Sequence, residues 1–196
     1  IPKAPQLRDV IDLIPSSSFD PIFSDFFSLL QRAKQLKKFQ FFKKQYLISI
    51  DATQYFTSEN LCCNGCLEKT SRKTGKTTYS HQFLGASIVH PDQRQVIPLA
   101  PEPIQNTDGS TKQDCERNAG KRLIQKIRKP HPKLDIIMAG DDLYSNQPFI
   151  DELQSNRMSF ILVAKPGDHI LIEKGGLDGP VPRDGRRLIA SLPVNG

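Results

Sequence analysis

The spacing of apolar residues changes along the chain, from a helical period near the start to a strand period further on. Within residues 20–36 apolar side chains recur at the spacing of one helix face, and Asp20 and Pro21 suit a helix start. The members of this face are Ile22, Phe23, Phe26, Phe27, Leu30 and Ala33. A shorter helix is predicted at 7–13, before a proline and a serine run. Residues 1–44 are therefore predicted to form a helical lead-in.

Shorter apolar segments after residue 45 have the length and alternation of β-strands. The first covers 46–50, meets Asp51 and continues through Tyr55 and Phe56. Further strands are predicted at 79–89, 95–99, 134–139, Ser159–Ala164 and 187–192. The tight turn after Val89 indicates that the first three strands form an antiparallel meander, which the proline-rich segment 98–103 ends.

Two more helices are predicted between the later strands. One begins near Thr111, which can cap it with Asp114 three positions on, and it ends before Pro130. Its apolar stripe, predicted to face the core, consists of Cys115, Ala119, Leu123 and Ile127. The other helix covers about 147–156. Three antiparallel strands followed by helix, strand, helix and strand predict an α/β fold with a mixed sheet.

The positive net charge of the chain favours a polyanionic binding partner. The net charge is +6, and basic residues are concentrated within 26–50, 69–76 and 117–129, although a merely solvated basic surface is an equal alternative. With 37% hydrophobic and 24% charged residues the chain is neither wholly disordered nor collagenous. It has no apolar run of membrane-spanning length and no secretory signal, so we expect a cytoplasmic protein. Both ends look cut, which predicts that the chain is an internal fragment.

Two aspartates are the strongest candidates for chemistry. Asp51 and Asp141 each follow an apolar strand, and a helical crossover before the second strand would make the two strands parallel. The carboxylates would then lie at one edge of the sheet, where a divalent cation would offset their repulsion. Hard oxygen ligands of this kind suit Mg²⁺ or Mn²⁺. The alternative for either residue alone is a turn or a helix cap.

The cysteines suggest a second, separate site. Cys63 and Cys66 have the CxxC spacing with which two thiolates grip one Zn²⁺, and Gly65 permits the tight turn between them. Further ligands would have to come from His81, His90 or Cys115. An unliganded cluster of reduced thiols is the main alternative to a structural zinc.

Four segments of the chain resemble bacterial insertion-sequence transposases with a DDE domain. They are Leu47 to Thr53, Lys112 to Ala119, Ile136 to Tyr144 and Phe160 to Pro166. The resemblance implies a ribonuclease H-like fold for residues 45–168 and the start of a β-rich insertion at 169–196. It also identifies Asp51 as the first catalytic acid, and Asp141 rather than Asp142 as the second, because an aromatic residue follows three positions later at Tyr144.

The same resemblance implies divalent-metal-dependent cleavage and joining of DNA at transposon ends, in DNA transposition and recombination. Two Mg²⁺ or Mn²⁺ ions would be held by Asp51 and Asp141 together with a glutamate expected beyond Gly196, so the fragment alone would be inactive. By their location alone, Lys112, Arg117, Lys121 and Lys165 are candidate DNA contacts, and a solvated surface role is an equal alternative for each. The full-length protein would act on bacterial nucleoid DNA, with homodimerisation expected.

Two alternative functions remain open at this point. One is a ribonuclease H-like nuclease that hydrolyses DNA without joining strands. The other is a non-catalytic, zinc-stabilised DNA-binding module, which would be favoured by a metal-binding cysteine cluster together with widely separated aspartates.

Overall fold

The computed structural model describes residues 3–11, 13–106, 114–164 and 187–191. Its α-helices within these ranges are α1 Ala4–Ile11, α2 Asp20–Arg32, α3 Glu116–Arg128 and α4 Gln147–Ser155. Its strands are β1 Tyr46–Ser58, β2 Leu67–Thr70, β3 Thr77–Val89, β4 Ile97–Pro98, β5 Glu102–Ile104, β6 Ile136–Gly140, β7 Ser159–Ala164 and β8 Arg187–Ser191. Short 3-10 helices lie at Ser16–Phe19, Gln35–Phe39, Phe42–Lys44 and Asp142–Tyr144.

All of these strands belong to one mixed sheet, as predicted. The order is β2-β3-β1-β6-β7-β8, and β4 and β5 also pair with β3. Strands β1 and β3 are antiparallel, whereas β1 pairs in parallel with β6, and β6 pairs in parallel with β7. Helices α3 and α4 connect the parallel strands, because a parallel pair needs a crossover. The predicted α/β fold with a mixed sheet is confirmed.

The edge of the sheet beside β3 differs from the prediction. The strand expected at 95–99 is reduced to β4, and a further strand, β5, lies in the proline-rich segment that was expected to end the meander. Pro103 sits opposite Phe83 of β3. A proline is tolerated there because an edge strand does not need every backbone N–H for pairing. Strand β2, with the polar sequence LEKT, was not predicted at all.

The core lies between the sheet and helices α3 and α4. Ile48 and Ile50 of β1 alternate with exposed Ser49 and Asp51, so the strand buries one face. The buried residues that meet this face from the helices are Ala119, Leu123, Ile124, Ile127, Phe149 and Leu153. The apolar side of the sheet therefore fixes which residues of β1 remain available to solvent.

The first long helix is shorter and less buried than predicted. α2 ends at Arg32, and Lys34 adopts a left-handed backbone with φ of 58°, so the chain turns before Leu36. Phe27, Leu36 and Phe39 join the core, but Ile22 and Phe26 are exposed, contrary to the predicted apolar face. The core reaches this helix along one narrow stripe only.

Helix α3 begins later than its apolar stripe suggested. Cys115 has an extended backbone ahead of the first turn and is exposed, so its predicted place in the core is wrong. The predicted cap Thr111 lies outside the described residues. Because Cys115 precedes the helix, it does not share the direction of Ala119 and Leu123.

In the described part of the chain, no helix combines the length and apolar character needed to cross a membrane. Most of the predicted insertion at 169–196 lies outside the described residues. Its described portion, β8, pairs antiparallel with β7.

Candidate functional site

Asp51 and Asp141 lie at the same level of neighbouring parallel strands. The pairing of β1 with β6 runs from Tyr46 opposite Ile136 to Ser49 opposite Ala139. Asp51 lies two positions after Ser49, and Asp141 lies two positions after Ala139. The two aspartates are therefore at the same level of the sheet. The predicted parallel pairing of the two strands is confirmed. Asp51 does not end its strand, since β1 continues to Ser58 against β3, while β6 stops at Gly140.

Asp141 also acts as a helix cap. Its Oδ1 accepts a hydrogen bond from the backbone N–H of Leu143 at 3.1 Å, at the start of the 3-10 helix 142–144. A helix cap is the alternative role that the sequence leaves open for this residue. The cap fixes the orientation of the carboxylate, because one oxygen is held by the turn that follows the strand.

Gly140 brings this turn close to β1. A Cβ at Gly140 would lie 3.0 Å from Cδ2 of Tyr144 and 3.4 Å from Cγ1 of Ile50. The first distance is tighter than almost any real Cβ contact, so a side chain here would push the turn away from the sheet. Glycine at position 140 therefore allows the turn that carries Asp141 to stay close to β1.

A third carboxylate, Glu116, faces the two aspartates from the first turn of α3. It is half-buried, and its pKa is raised above the ordinary value by burial, then by the charges of Asp141 and Asp51. These charges can act on Glu116 only because all three groups are near one another. Glu116 was not predicted as a site residue, because its proximity to the strands depends on how α3 packs.

Tyr144 lies beneath this acidic group. It is 1% exposed, and its hydroxyl has no hydrogen-bond partner among the described residues. Burial raises the pKa of Tyr144 well above its usual range, and Glu116, Asp141 and Asp51 add to the rise. A Cβ at Gly120 would lie 3.4 Å from the Tyr144 ring, so the face of α3 that carries Gly120 and, one turn earlier, Glu116 meets this tyrosine.

Together, Asp51, Asp141 and Glu116, called the acidic edge below, offer oxygen ligands of the kind that Mg²⁺ and Mn²⁺ prefer. Burial, and then the charges of Asp141 and Asp51, raise the pKa of Glu116, and a bound cation would offset the part that comes from the two charges. The three ligand atoms do not all lie within 4.8 Å of one another in the described structure, where only a Cys and His group meets that condition. The donor chemistry of the three carboxylates fits a hard divalent cation.

The basic residues of α3 divide into two groups. Arg117 and Lys121, both predicted to contact DNA, are exposed and lie one helical turn apart, near the acidic edge. The other two predicted contacts, Lys112 and Lys165, lie outside the described residues. Exposed lysine and arginine side chains at this end of α3 can reach a phosphate backbone without disturbing the core.

Arg122 and Lys126 hold the fold together instead. Arg122 donates from Nε to Glu102 at 2.7 Å and from its terminal nitrogens to Asp114 and the carbonyl of Pro103. Lys126 lies 2.8 Å from Glu102 and 3.2 Å from Asp20. These ion pairs join α3 to β5 and α2, and they raise the pKa of Arg122, chiefly through Asp114. This part of the third basic run is therefore structural.

Cys63, Cys66 and His81 form a group, called the thiol–histidine cluster below, whose ligand atoms lie within 4.8 Å of one another. The Nε2 atom of His81 is 3.3 Å from Sγ of Cys63 and 3.4 Å from Sγ of Cys66, and the two sulfur atoms are 3.8 Å apart. Such a group can hold a metal ion such as zinc. Of the three predicted partners for the cysteines, the structure selects His81, and neither His90 nor Cys115 belongs to the group.

The position of His81 depends on a bulge in the sheet. Gln54 pairs with Gln82, but Phe56 pairs with His81, so Tyr55 is an extra residue in β1. The rings of Tyr55 and Phe56 lie 5.9 and 5.6 Å from the imidazole. Burial, then the charges of Cys63 and Cys66, raises the pKa of Tyr55. Burial likewise raises the pKa of the Cys66 thiol, opposed by a hydrogen bond from the Cys63 backbone.

Comparisons with known proteins give a distant structural likeness. No protein-family model matches the chain, and no curated protein matches its sequence. The cryo-EM structure of a piggyBac transposase synaptic complex with hairpin DNA is similar, with a TM-score of 0.43 and 14% sequence identity. The match covers 84% of this chain but only 34% of that transposase chain.

Proposed function

We propose that this chain is part of the catalytic domain of a DNA transposase of the bacterial insertion-sequence DDE type, with a ribonuclease H-like fold. The observation that carries the proposal is the level placement of Asp51 and Asp141 on adjacent parallel strands, with Glu116 turned toward both. The strand order supports it, because an antiparallel meander followed by two parallel crossovers is the order that the sequence resemblance implies.

Asp51 and Asp141 would hold Mg²⁺ or Mn²⁺, with Glu116 as an additional carboxylate within reach. When bound, such ions supply charge neutralisation and activation of an attacking oxygen in phosphoryl transfer. The sequence resemblance places a further catalytic glutamate beyond Gly196. The Glu116 carboxylate gives the chain a third acid of its own, on a different element from the one the resemblance implies.

The chain's own residues would orient and position the reacting groups. The Leu143 N–H holds one oxygen of Asp141, which directs the carboxylate along the edge of the sheet. The buried Tyr144 hydroxyl, which has no partner among the described residues, keeps its proton at neutral pH because its pKa is raised, and it would be free to donate to a group bound at the acidic edge. Burial and the neighbouring aspartates raise the pKa of Glu116, and a cation bound beside it would act in the opposite direction by favouring the ionised carboxylate.

DNA is the proposed partner. Arg117 and Lys121 would contact phosphates beside the acidic edge, with Lys112 and Lys165 as further candidates from the sequence. Contacts of this kind position the backbone without reading bases, so binding would weaken as salt concentration rises. Homodimerisation and action on bacterial nucleoid DNA belong to the same proposal.

The test uses the full-length protein with Asp51→Asn and Asp141→Asn variants. Each should lower Mg²⁺-dependent cleavage of transposon-end DNA by on the order of 10²-fold or more, because cation stabilisation of the transition state is worth several kcal/mol. DNA affinity should stay within a few-fold of the unaltered protein. Asp142→Asn is the matched control, since it changes the neighbouring carboxylate, and it should retain cleavage. Cleavage that survives in the Asp51 or Asp141 variant would refute the assignment.

The thiol–histidine cluster favours a second candidate, a zinc-stabilised DNA-binding module without catalysis. The same assay separates the two: a binding module would retain DNA affinity and show no Mg²⁺-dependent cleavage in the unaltered full-length protein. A nuclease of related fold would cleave DNA but yield no joined strand-transfer product.

A further inference from the structure

The three distances within the thiol–histidine cluster match the edges of a zinc coordination tetrahedron. With Zn–S near 2.3 Å and Zn–N near 2.05 Å, tetrahedral geometry places two sulfurs about 3.8 Å apart and a sulfur and nitrogen about 3.6 Å apart. The observed separations are 3.8 Å between the sulfurs and 3.3 and 3.4 Å from them to His81 Nε2. A single ion therefore fits between the three atoms with shifts of only a few tenths of an ångström.

Neither a disulfide nor a simple hydrogen bond accounts for the cluster as well as a metal does. A disulfide between Cys63 and Cys66 needs sulfur atoms about 2.05 Å apart, far closer than 3.8 Å, and all four cysteines are free thiols. A hydrogen bond from a thiol to the imidazole would bring one sulfur to His81. In this structure both sulfur atoms approach the same Nε2 atom of His81. The single lone pair on the unprotonated nitrogen of a neutral imidazole accepts only one good hydrogen bond, so hydrogen bonding explains one of the two contacts at most.

The surrounding backbone supports metal-bound thiolates. The N–H of Cys63 donates to Sγ of Cys66 at 3.2 Å, and the N–H of Cys66 donates to the carbonyl of Cys63 at 3.0 Å. The first bond stabilises negative charge on sulfur, and the second closes the tight turn that brings both side chains to one point. Hydrogen bonds to the ligands commonly fix their orientation in metal sites.

We propose that Cys63, Cys66 and His81 bind one Zn²⁺ that clamps the β1–β2 connection onto β3. Two thiolates and an imidazole form a soft, borderline donor set that suits zinc better than Mg²⁺ or Ca²⁺. The proposal stands on these three residues alone and is independent of the catalytic function proposed for the acidic edge.

The clamp would join the β1–β2 connection to β3 just ahead of the point where β2 begins to pair with β3. Cys63 and Cys66 belong to the connection between β1 and β2, while His81 lies on β3 opposite Phe56. Phe56 is five positions beyond Asp51 along β1, roughly 17 Å at the usual rise of a strand. This separation makes the zinc site a support for the far end of the sheet and not a part of the acidic edge.

A zinc ion held by these three residues would need a fourth ligand. A cleft of about 480 Å³ borders the cluster, and Tyr55, Leu61 and Cys62 contribute to its walls. The Cys62 thiol is exposed and does not belong to the group of converging ligand atoms. Water is the fourth ligand in this account, and Cys62 supplies a matched control because it is an exposed cysteine next to a ligand.

The experiment measures metal bound to the purified full chain after dialysis against zinc. The unaltered protein and Cys62→Ser should each retain about one zinc ion per chain, as a single tetrahedral site requires. Cys63→Ser, Cys66→Ser and His81→Ala should each lose most of that zinc. Equal zinc retention by the unaltered protein and all three ligand variants would overturn the proposal, and so would a loss in Cys62→Ser as large as that in Cys63→Ser.

Cobalt substitution in the unaltered protein keeps the proposal testable if a ligand variant does not fold. Co²⁺ at the site should give the visible absorption of a tetrahedral ion with sulfur-to-metal charge-transfer bands, and one equivalent of Zn²⁺ should remove them. Chelation of zinc should lower the Tm, with recovery on adding zinc back, because a ligand that binds only the folded state stabilises it. Absence of these bands, or an octahedral spectrum without sulfur bands, would contradict the site.

Discussion

The two aspartates of the acidic edge reach their positions by different local routes. Asp51 sits within a long strand, exposed because it alternates with buried Ile50. Asp141 follows a strand and caps the next turn. Both could be predicted from the sequence, because each follows a run of apolar residues. Their catalytic role stays a prediction.

Glu116 and His81 could not be predicted in the same way. Glu116 stands in no apolar run, and only the packing of α3 on Tyr144 turns it toward the aspartates. His81 was one of several candidate partners for the cysteines. Its selection depends on the one-residue bulge at Tyr55, which sets the register of β1 against β3.

Glu116 makes the stability of the chain depend on pH. Burial and the neighbouring aspartates raise its pKa, so the folded protein holds this proton more tightly than the unfolded chain. Stability from this group is therefore fully present below the ordinary carboxyl pKa and is lost as pH rises through the folded pKa. Glu116→Gln should raise the Tm by about 1–2 °C at neutral pH without divalent ions, as expected for modest charge interactions in a chain of this size.

Thermal unfolding from acid to neutral pH checks this expectation. The difference between Glu116→Gln and the unaltered protein should vanish below about pH 4, where the carboxyl is protonated in both states. Glu59→Gln is the control, because Glu59 pairs with Lys76 at an exposed site and its removal should not raise the Tm. A Glu116→Gln variant less stable than the unaltered protein at neutral pH would be inconsistent with repulsion at the acidic edge.

At the scale of elements, α3 connects the acidic edge to the rest of the fold. Its first turn carries Glu116, its apolar stripe packs on the sheet, and Arg122 and Lys126 bind the acids of neighbouring segments. Asp114, just before the helix, is buried against Arg122. This network fixes where α3 begins, and hence where Glu116 lies.

Removing Arg122 should therefore destabilise the protein. In Arg122→Ala the Asp114 side chain, which is 1% exposed, would lose its main partner, and the largely buried Glu102 would keep its ion pair with Lys126. We expect a loss of about 2–4 kcal/mol in the free energy of unfolding, because a buried carboxylate without a partner is costly. Urea denaturation measures this. Arg117→Ala, an exposed change on the same helix, should stay within about 0.5 kcal/mol, and equal effects of the two changes would contradict the network.

The sequence predicted a helix or strand correctly where the spacing of its apolar residues and the turn residues around it indicate the same structure. The strand Ser159–Ala164 was predicted with its observed bounds, because its six residues are apolar or small and follow a helix end. Strand β2 was missed because LEKT has no apolar alternation and is held only by pairing with β3. Strand β5 was missed because a proline in a strand is permitted only at an edge, and the edge was unknown.

At the scale of the whole molecule, one sheet supports two separate sites. The acidic edge lies where β6 ends beside the middle of β1, and the thiol–histidine cluster lies toward the far end of β1 and β3. The mixed sheet itself could be predicted from element order, since helical crossovers impose parallel pairing. The ribonuclease H-like assignment and the proposed activity rest on the sequence resemblance together with the geometry of the acidic edge.

We propose above all that Asp51 and Asp141 share a divalent cation. The most direct measurement is a crystal structure of the protein with Mn²⁺, using anomalous scattering to locate manganese separately from zinc. We expect a manganese peak between the two carboxylates, with oxygen ligands from both at about 2.1–2.2 Å. A structure in which manganese binds elsewhere, or in which the Asp51 and Asp141 carboxylates point away from each other with no ion between them, would contradict the account.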